Sequence, residues 1–217
     1  MEFLDLAHFC QTPLAVEPFD HLVVGDFLRP KHGAAVRADF PAIAHPGLVP
    51  LSEIEVGPSL ATLLGELTSR TLETAFSRKF GVDLSRHALM VTLRGRCRRT
   101  DGRIHTDSED KVLTALLYLN DAWAEAEGRL RFLRSPDDID DVACEVAPEC
   151  GTLVAFRRSE RSYHGHKPFV GERRYIMMNW LRNRAAVERE LMRHRLSTRV
   201  HRISGALFGG AHDEARR

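Results

Sequence analysis

The segment 146–181, VAPECGTLVAFRRSERSYHGHKPFVGERRYIMMNWL, decides the fold class. It holds three short runs of β character, at 152–156, 163–169 and 175–181, divided by Gly, Ser and Pro turn residues with no room for a helix between them. Toward the N-terminus the same pattern repeats at 142–147, 129–133, 112–119 and 88–93. Seven short strands without intervening helices argue for an antiparallel sandwich or barrel. Before them, Leu60, Leu63, Leu64, Leu67, Leu72, Ala75, Phe76 and Phe80 follow a helical stripe closed by Gly81, which predicts an amphipathic helix from Ser59 packed on the outside of the β core. The run 18–28 reads as an entry strand stopped by Arg29-Pro30, the stretch 184–196 as a helix, and 205–217 as a mobile tail.

The expectation is a mainly β fold with flanking helices, forming a single domain over 1–217. Its core spans about 88–182, its N-terminal helical support 1–87, and its C-terminal helix and tail 183–217. With 217 residues, 43% hydrophobic and 28% charged, the chain has an ordinary globular balance. A formal charge of +1 gives no global pull toward nucleic acid, although Arg94, Arg96, Arg98, Arg99 and Arg103 form a local basic cluster. The four cysteines, Cys10, Cys97, Cys144 and Cys150, include no C-x-x-C pair, so they read as reduced thiols. Neither a signal peptide nor a membrane span is legible, and the expectation is a cytoplasmic protein with no membrane partner. The sequence carries no signal for an oligomeric state.

Within the β core, His105-Thr106-Asp107 places an imidazole and a carboxylate at i and i+2, on one face of an extended chain. A second imidazole is available at His164 in Tyr163-His164-Gly165-His166. Two imidazoles and one carboxylate on one side of a metal leave the opposite positions open, the geometry that oxygen-activating non-haem iron requires. A dicarboxylate co-substrate needs a cation as well, best supplied by the planar fork of an arginine. Strand parity puts Arg174, Ile176, Met178 and Trp180 on one face and Arg173 on the other, and this reading chooses Arg174 for the site and sends Arg173 to solvent.

The chain resembles the 2-oxoglutarate/Fe(II)-dependent dioxygenase superfamily and, within it, the prolyl 4-hydroxylase-like group. The likeness covers roughly 88–182 and rests on HTD at 105–107, TALLYLND at 114–121 with Trp123 and Gly128, VAPECGTLVAF at 146–156 and SYHGHKPFVGERRYIMMNW at 162–180. It implies a double-stranded β-helix, or jelly roll. It also implies a metal triad of His105, Asp107 and His164, and co-substrate contacts from Arg174 and Tyr118. The cofactors implied are Fe(II), 2-oxoglutarate and O2, with ascorbate as an optional reductant. The reaction implied is hydroxylation of a C–H bond in a small-molecule or peptidyl substrate, with succinate and carbon dioxide as co-products. His166 and Arg103 are candidates for touching the substrate. His166 departs from the aliphatic residue common at that place, and the Arg173-Arg174 doublet leaves the arginine register open by one. A cupin-like sensor that binds a ligand without turnover is the rival reading, and a carboxylate clamp argues against it. An oxidative halogenase is the other, and Asp107 argues against that.

Overall fold

A computed structural model describes residues 1–193. The N-terminal part carries helices α1 (Leu6–Gln11), α2 (Pro30–Ala38), α3 (Pro58–Leu67) and α4 (Arg70–Phe80), with the short strands β1 (His21–Val24) and β2 (Val49–Pro50) between them. Seven strands follow: β3 (Ala88–Cys97), β4 (Lys111–Tyr118), β5 (Leu130–Leu133), β6 (Val142–Val146), β7 (Leu153–Arg157), β8 (His164–Gly165) and β9 (Gly171–Leu181). Residues 184–193 form a further helix, α5. The strands make a six-stranded sheet in the order β1-β7-β4-β9-β3-β2 and a three-stranded sheet in the order β6-β5-β8. All the strand pairings are antiparallel, and the expected double-stranded β-helix is the fold observed.

The period-2 alternation of side chains gives the large sheet two different faces. Leu113, Ala115 and Leu117 of β4, Leu153 and Ala155 of β7, and Ile176, Met178 and Trp180 of β9 are buried against Leu60, Leu63, Phe76 and Phe80 of α3 and α4. Leu116 and Tyr118, Val154 and Phe156, and Tyr175 and Met177 face the other way, where they meet Leu130, Phe132 and Val146 of the small sheet. A cavity opens between the two sheets, so each β9 residue belongs to the helix side or to the cavity side by its parity alone. Among the described residues no helix is long and apolar enough to cross a membrane.

Several local expectations change. The single helix from Ser59 to Phe80 is two, because Ser69 caps a new start. Its hydroxyl accepts from Leu72 N at 3.2 Å, and the Thr68 and Ser69 hydroxyls donate back to Leu64 and Glu66 carbonyls, closing the first helix. Pro30 is the first residue of α2 rather than a stop, consistent with proline lacking an N–H that a helix start leaves unused anyway. The entry strand shrinks to four residues, and the run at 163–169 pairs only at His164 and Gly165. Gly81 closes α4 as expected, at φ 63°, a left-handed conformation that glycine adopts without Cβ strain. The reading of 205–217 as a tail lies outside the described residues.

Ser69→Ala should lower stability by about 1 kcal/mol, measured as a shift in the urea unfolding midpoint, because it removes the cap of α4. A neutral or stabilising effect would instead indicate one helix running through 68–69, where alanine is the better helix former.

Candidate active site

His105 lies on the connection between β3 and β4 and forms a single antiparallel bridge with His164 of β8. The two backbones exchange both hydrogen bonds, His105 N to His164 O and His164 N to His105 O, each at 3.0 Å. Residues distant in sequence are thus fixed with their rings 4.3 Å apart, centroid to centroid. Each ring also donates through Nδ1 to a backbone carbonyl two residues back: His105 to Arg103 O at 2.8 Å and His164 to Ser162 O at 2.9 Å. A carbonyl can only accept, so Nδ1 carries the proton in both and the Nε2 lone pairs are left for a metal. With Asp107 these rings form a group whose ligating atoms all lie within 4.8 Å of one another. The donor set of two imidazoles and a carboxylate fits Fe(II) with positions to spare.

Asp107 is buried, with both carboxylate oxygens engaged. Lys111 Nζ lies 2.7 Å from Oδ1, and Thr114 Oγ1 donates to Oδ2 at 2.5 Å. Burial alone would raise this carboxyl's pKa, but Lys111, His164 and these hydrogen bonds outweigh it and hold the group well below the usual carboxylate range. Asn179 Oδ1 is 2.9 Å from the Thr114 hydroxyl while its own Nδ2 is buried without a partner. The hydroxyl has one proton, given to Asp107, so the chemically consistent amide orientation exchanges the two ends and lets Nδ2 donate to Oγ1.

The pocket is a cavity of about 210 Å³ with the candidate ligands His105, Asp107 and His164 on one side and Arg94, Arg173, Tyr175 and His166 among its other walls. Here the arginine expected from sequence is corrected. Arg174 shares its face with Ile176 and Met178, the face packed on helices. Its guanidinium stacks over the Phe40 ring and pairs with Glu172 at 2.8 Å. Arg173, expected in solvent, is 2% exposed and lines the cavity. Its Nε donates to Gly128 O at 2.8 Å and its Nη2 to the Tyr118 hydroxyl at 3.2 Å. No carboxylate pairs with it among the described residues. Residues 174, 176 and 178 do share a face, but 173, 175 and 177 line the pocket, because alternation alone does not decide which face of β9 the helices cover.

Tyr118 stands behind Arg173, fully buried, and burial pushes its hydroxyl up to about 12 against the pull of that guanidinium. Among the substrate candidates, His166 lines the cavity, and its N–H to Gly102 O bond at 2.8 Å ties it to the loop above. Gly102, at φ 83°, has no room for a Cβ over the imidazole. Arg103 contributes its carbonyl to His105, and its side chain does not line the cavity. Sequence reasoning missed Lys111, Arg94, Asp101 and Tyr175. Lys111 was detectable as a cation four residues after Asp107. Arg94 and Tyr175 are opposite partners in the β3–β9 register, which only the fold reveals.

Residues 95–182 match the family model described as the 2OG-Fe(II) oxygenase superfamily. Among solved structures, a Pseudomonas putida prolyl-4-hydroxylase is similar at TM-score 0.54 and 19% identity, over 82% of this chain and 96% of that one. A 2OG-Fe(II) oxygenase family oxidoreductase from Burkholderia pseudomallei is similar at TM-score 0.51 and 14% identity, over 82% and 90%. The viral collagen prolyl hydroxylase of Paramecium bursaria Chlorella virus-1, solved as a 2OG complex, is similar at TM-score 0.52 and 16% identity, over 75% and 95%. At these identities the likeness shows a shared fold. No curated protein matches the sequence.

Burial lowers both His164 and His166 to about 4 from an ordinary 6.5; Asp107 opposes the effect at His164, and the Arg173 charge adds to it at His166. As pH falls from 6.5 toward 4, the unfolded chain takes up protons that the folded chain refuses, so stability is full above this window and is lost on descending through it. Each group contributes up to about 1.4 kcal/mol per pH unit inside the window. For the metal-free protein, the urea midpoint should therefore drop on going from about pH 7 to pH 5, and His166→Gln should make that drop shallower. A pH-independent midpoint over this range would contradict the burial argument.

Proposed function

We propose that this chain is a 2OG-Fe(II) oxygenase, a reading supported by the family-model match over residues 95–182, and that it hydroxylates a C–H bond of an amino acid, a peptide or another small substrate. In this reading Fe(II) is held by Nε2 of His105, Nε2 of His164 and the Asp107 carboxylate, and residues 1–217 act as one oxygenase domain. When bound, Fe(II) would supply the activation of O2, the oxidant, with 2-oxoglutarate giving up two electrons and the substrate two, and with succinate and carbon dioxide as co-products. The single observation that carries the reading is that one cavity is lined by an H-x-D…H donor group and by a buried arginine that has no carboxylate partner among the described residues. A sensor that only binds metal has no use for that arginine.

The chain's own groups divide the work. The two backbone carbonyls at Arg103 and Ser162 hold the imidazoles in the tautomer that a metal needs. Thr114 and Lys111 fix the Asp107 carboxylate as an anion before any ligand arrives. Arg173 supplies a guanidinium for the distal carboxylate of 2-oxoglutarate, with two of its donors already locked by Gly128 and Tyr118 so that little side-chain entropy is lost on binding. Phe156, whose ring lies 4.6 Å from that of His164, and Leu116, Leu130 and Met177 make the remaining wall apolar and help exclude water. The cytoplasmic assignment fits four cysteines that are all free.

The purified protein with Fe(II), ascorbate and 2-oxoglutarate should form succinate slowly without any substrate. No succinate above a metal-free control would favour a binding module over an enzyme. Arg173→Ala should weaken 2-oxoglutarate binding at least tenfold with iron content nearly unchanged, since a charge-assisted bond to a carboxylate contributes about 1.5–3 kcal/mol. Arg174→Ala should change little, and the reverse order of the two variants would overturn the assignment.

A further inference from the structure

The charges lining the cavity do not cancel. Arg94, Lys111 and Arg173 face it as cations, while Asp101 and Asp107 are its only lining carboxylates among the described residues, which leaves one positive charge. His166 lines it as well, and an imidazole carries no negative charge in either protonation state, so it does not remove the excess. On the reading proposed above, Fe(II) brings two further positive charges and 2-oxoglutarate removes two, so the loaded pocket still carries one. Buried charges in proteins are compensated by a partner, since leaving water without one is costly. One more anion therefore has a place here.

The pairings show which cation is left over. Arg94 is engaged by Asp101 at 2.8 Å. Arg173 faces the distal carboxylate of the co-substrate. Lys111 rests on Asp107 Oδ1, an atom of the proposed metal ligand, with its side chain only 12% exposed. Once the Asp107 charge is shared with Fe(II), Lys111 is the cation whose compensation is incomplete. The surroundings reinforce the excess: Arg96, Arg99 and Arg103, on the segment leading to the metal ligands, have no ion pair among the described residues. Their field favours arrival of an anion.

We propose that the substrate is itself an acid, presenting a carboxylate or a phosphate to Lys111 while the carbon to be oxidised faces the metal. Lys111 then sets specificity: a neutral analogue of the same size leaves a largely shielded ammonium incompletely paired and is rejected.

The test uses the full chain loaded with Mn(II), a paramagnetic stand-in for Fe(II), and saturating 2-oxoglutarate, with retention of both measured first. Acetate, inorganic phosphate and neutral acetamide are then titrated while their NMR relaxation is followed. At least one anion should show saturable relaxation enhancement and acetamide none, and whether acetate or phosphate responds distinguishes a carboxylate from a phosphate substrate. Lys111→Gln should weaken that binding at least about tenfold, and Lys111→Arg should preserve it. Equal relaxation by acetamide, no enhancement by either anion, or unchanged binding in Lys111→Gln would overturn the proposal even though Mn(II) and 2-oxoglutarate are held. Failure to hold Mn(II) and 2-oxoglutarate would instead overturn the oxygenase reading, and this proposal with it.

Discussion

The pleat of β4 and β9 is the constraint on which the rest of the structure depends. Successive residues point to opposite faces, and one face must be buried under α3 and α4 because it carries Leu113, Ile176, Met178 and Trp180. That choice leaves Thr114, Arg173, Tyr175 and Met177 no direction but the cavity. A register slip of one residue would send a guanidinium into the helix-packed core and an isoleucine into the pocket. Hydrophobic burial under the helices thus positions a polar site on the opposite side of the same sheet. The aromatic contact between Phe76 and Trp180, with ring centroids 5.1 Å apart, belongs to the same arrangement as the arginine.

The site itself is held by backbone more than by side chains. His105 and His164 owe their spacing to one reciprocal pair of main-chain hydrogen bonds, and their tautomers to two carbonyls. Such interactions do not depend on metal, so the donor group is prearranged. Asp107 would be an unstable guest in this cavity alone, because burial opposes its charge. Lys111 and Thr114 reverse that balance. At the outer end, Ser108 donates to Glu190 at 3.0 Å and Arg189 pairs with Asp110 at 2.7 Å, so α5 anchors the loop that carries the H-x-D segment.

The β core was legible because its strands are short apolar runs divided by Gly, Ser and Pro turns, and the side chains of any strand alternate between two faces. The same alternation was legible enough to sort β9 into two faces. Which face met the helices was not, because 173–181 has large side chains on both sides and only the packing of α3 and α4 breaks the tie. The break between those helices was hidden for a related reason: the apolar stripe continues across Thr68-Ser69, and only the hydroxyl caps interrupt the backbone. Histidines 105 and 164 were legible from chemistry and spacing together with the family likeness. Arg94 was not, since its role arises from a β3–β9 pairing that brings distant parts of the chain to one cavity, whereas Lys111 carried a local signal as a cation four residues after Asp107.

The central claim is that one metal joins His105, Asp107 and His164 while Arg173 receives the far end of a dicarboxylate in the same cavity. A crystal structure of the protein with Mn(II) and 2-oxoglutarate tests it most directly. The account predicts one ion on Nε2 of both histidines and an Asp107 oxygen, with the distal carboxylate of 2-oxoglutarate on the Arg173 guanidinium and the Tyr118 hydroxyl close behind. An ion bound elsewhere, or a carboxylate seated on Arg174 at the Phe40 face, would contradict it.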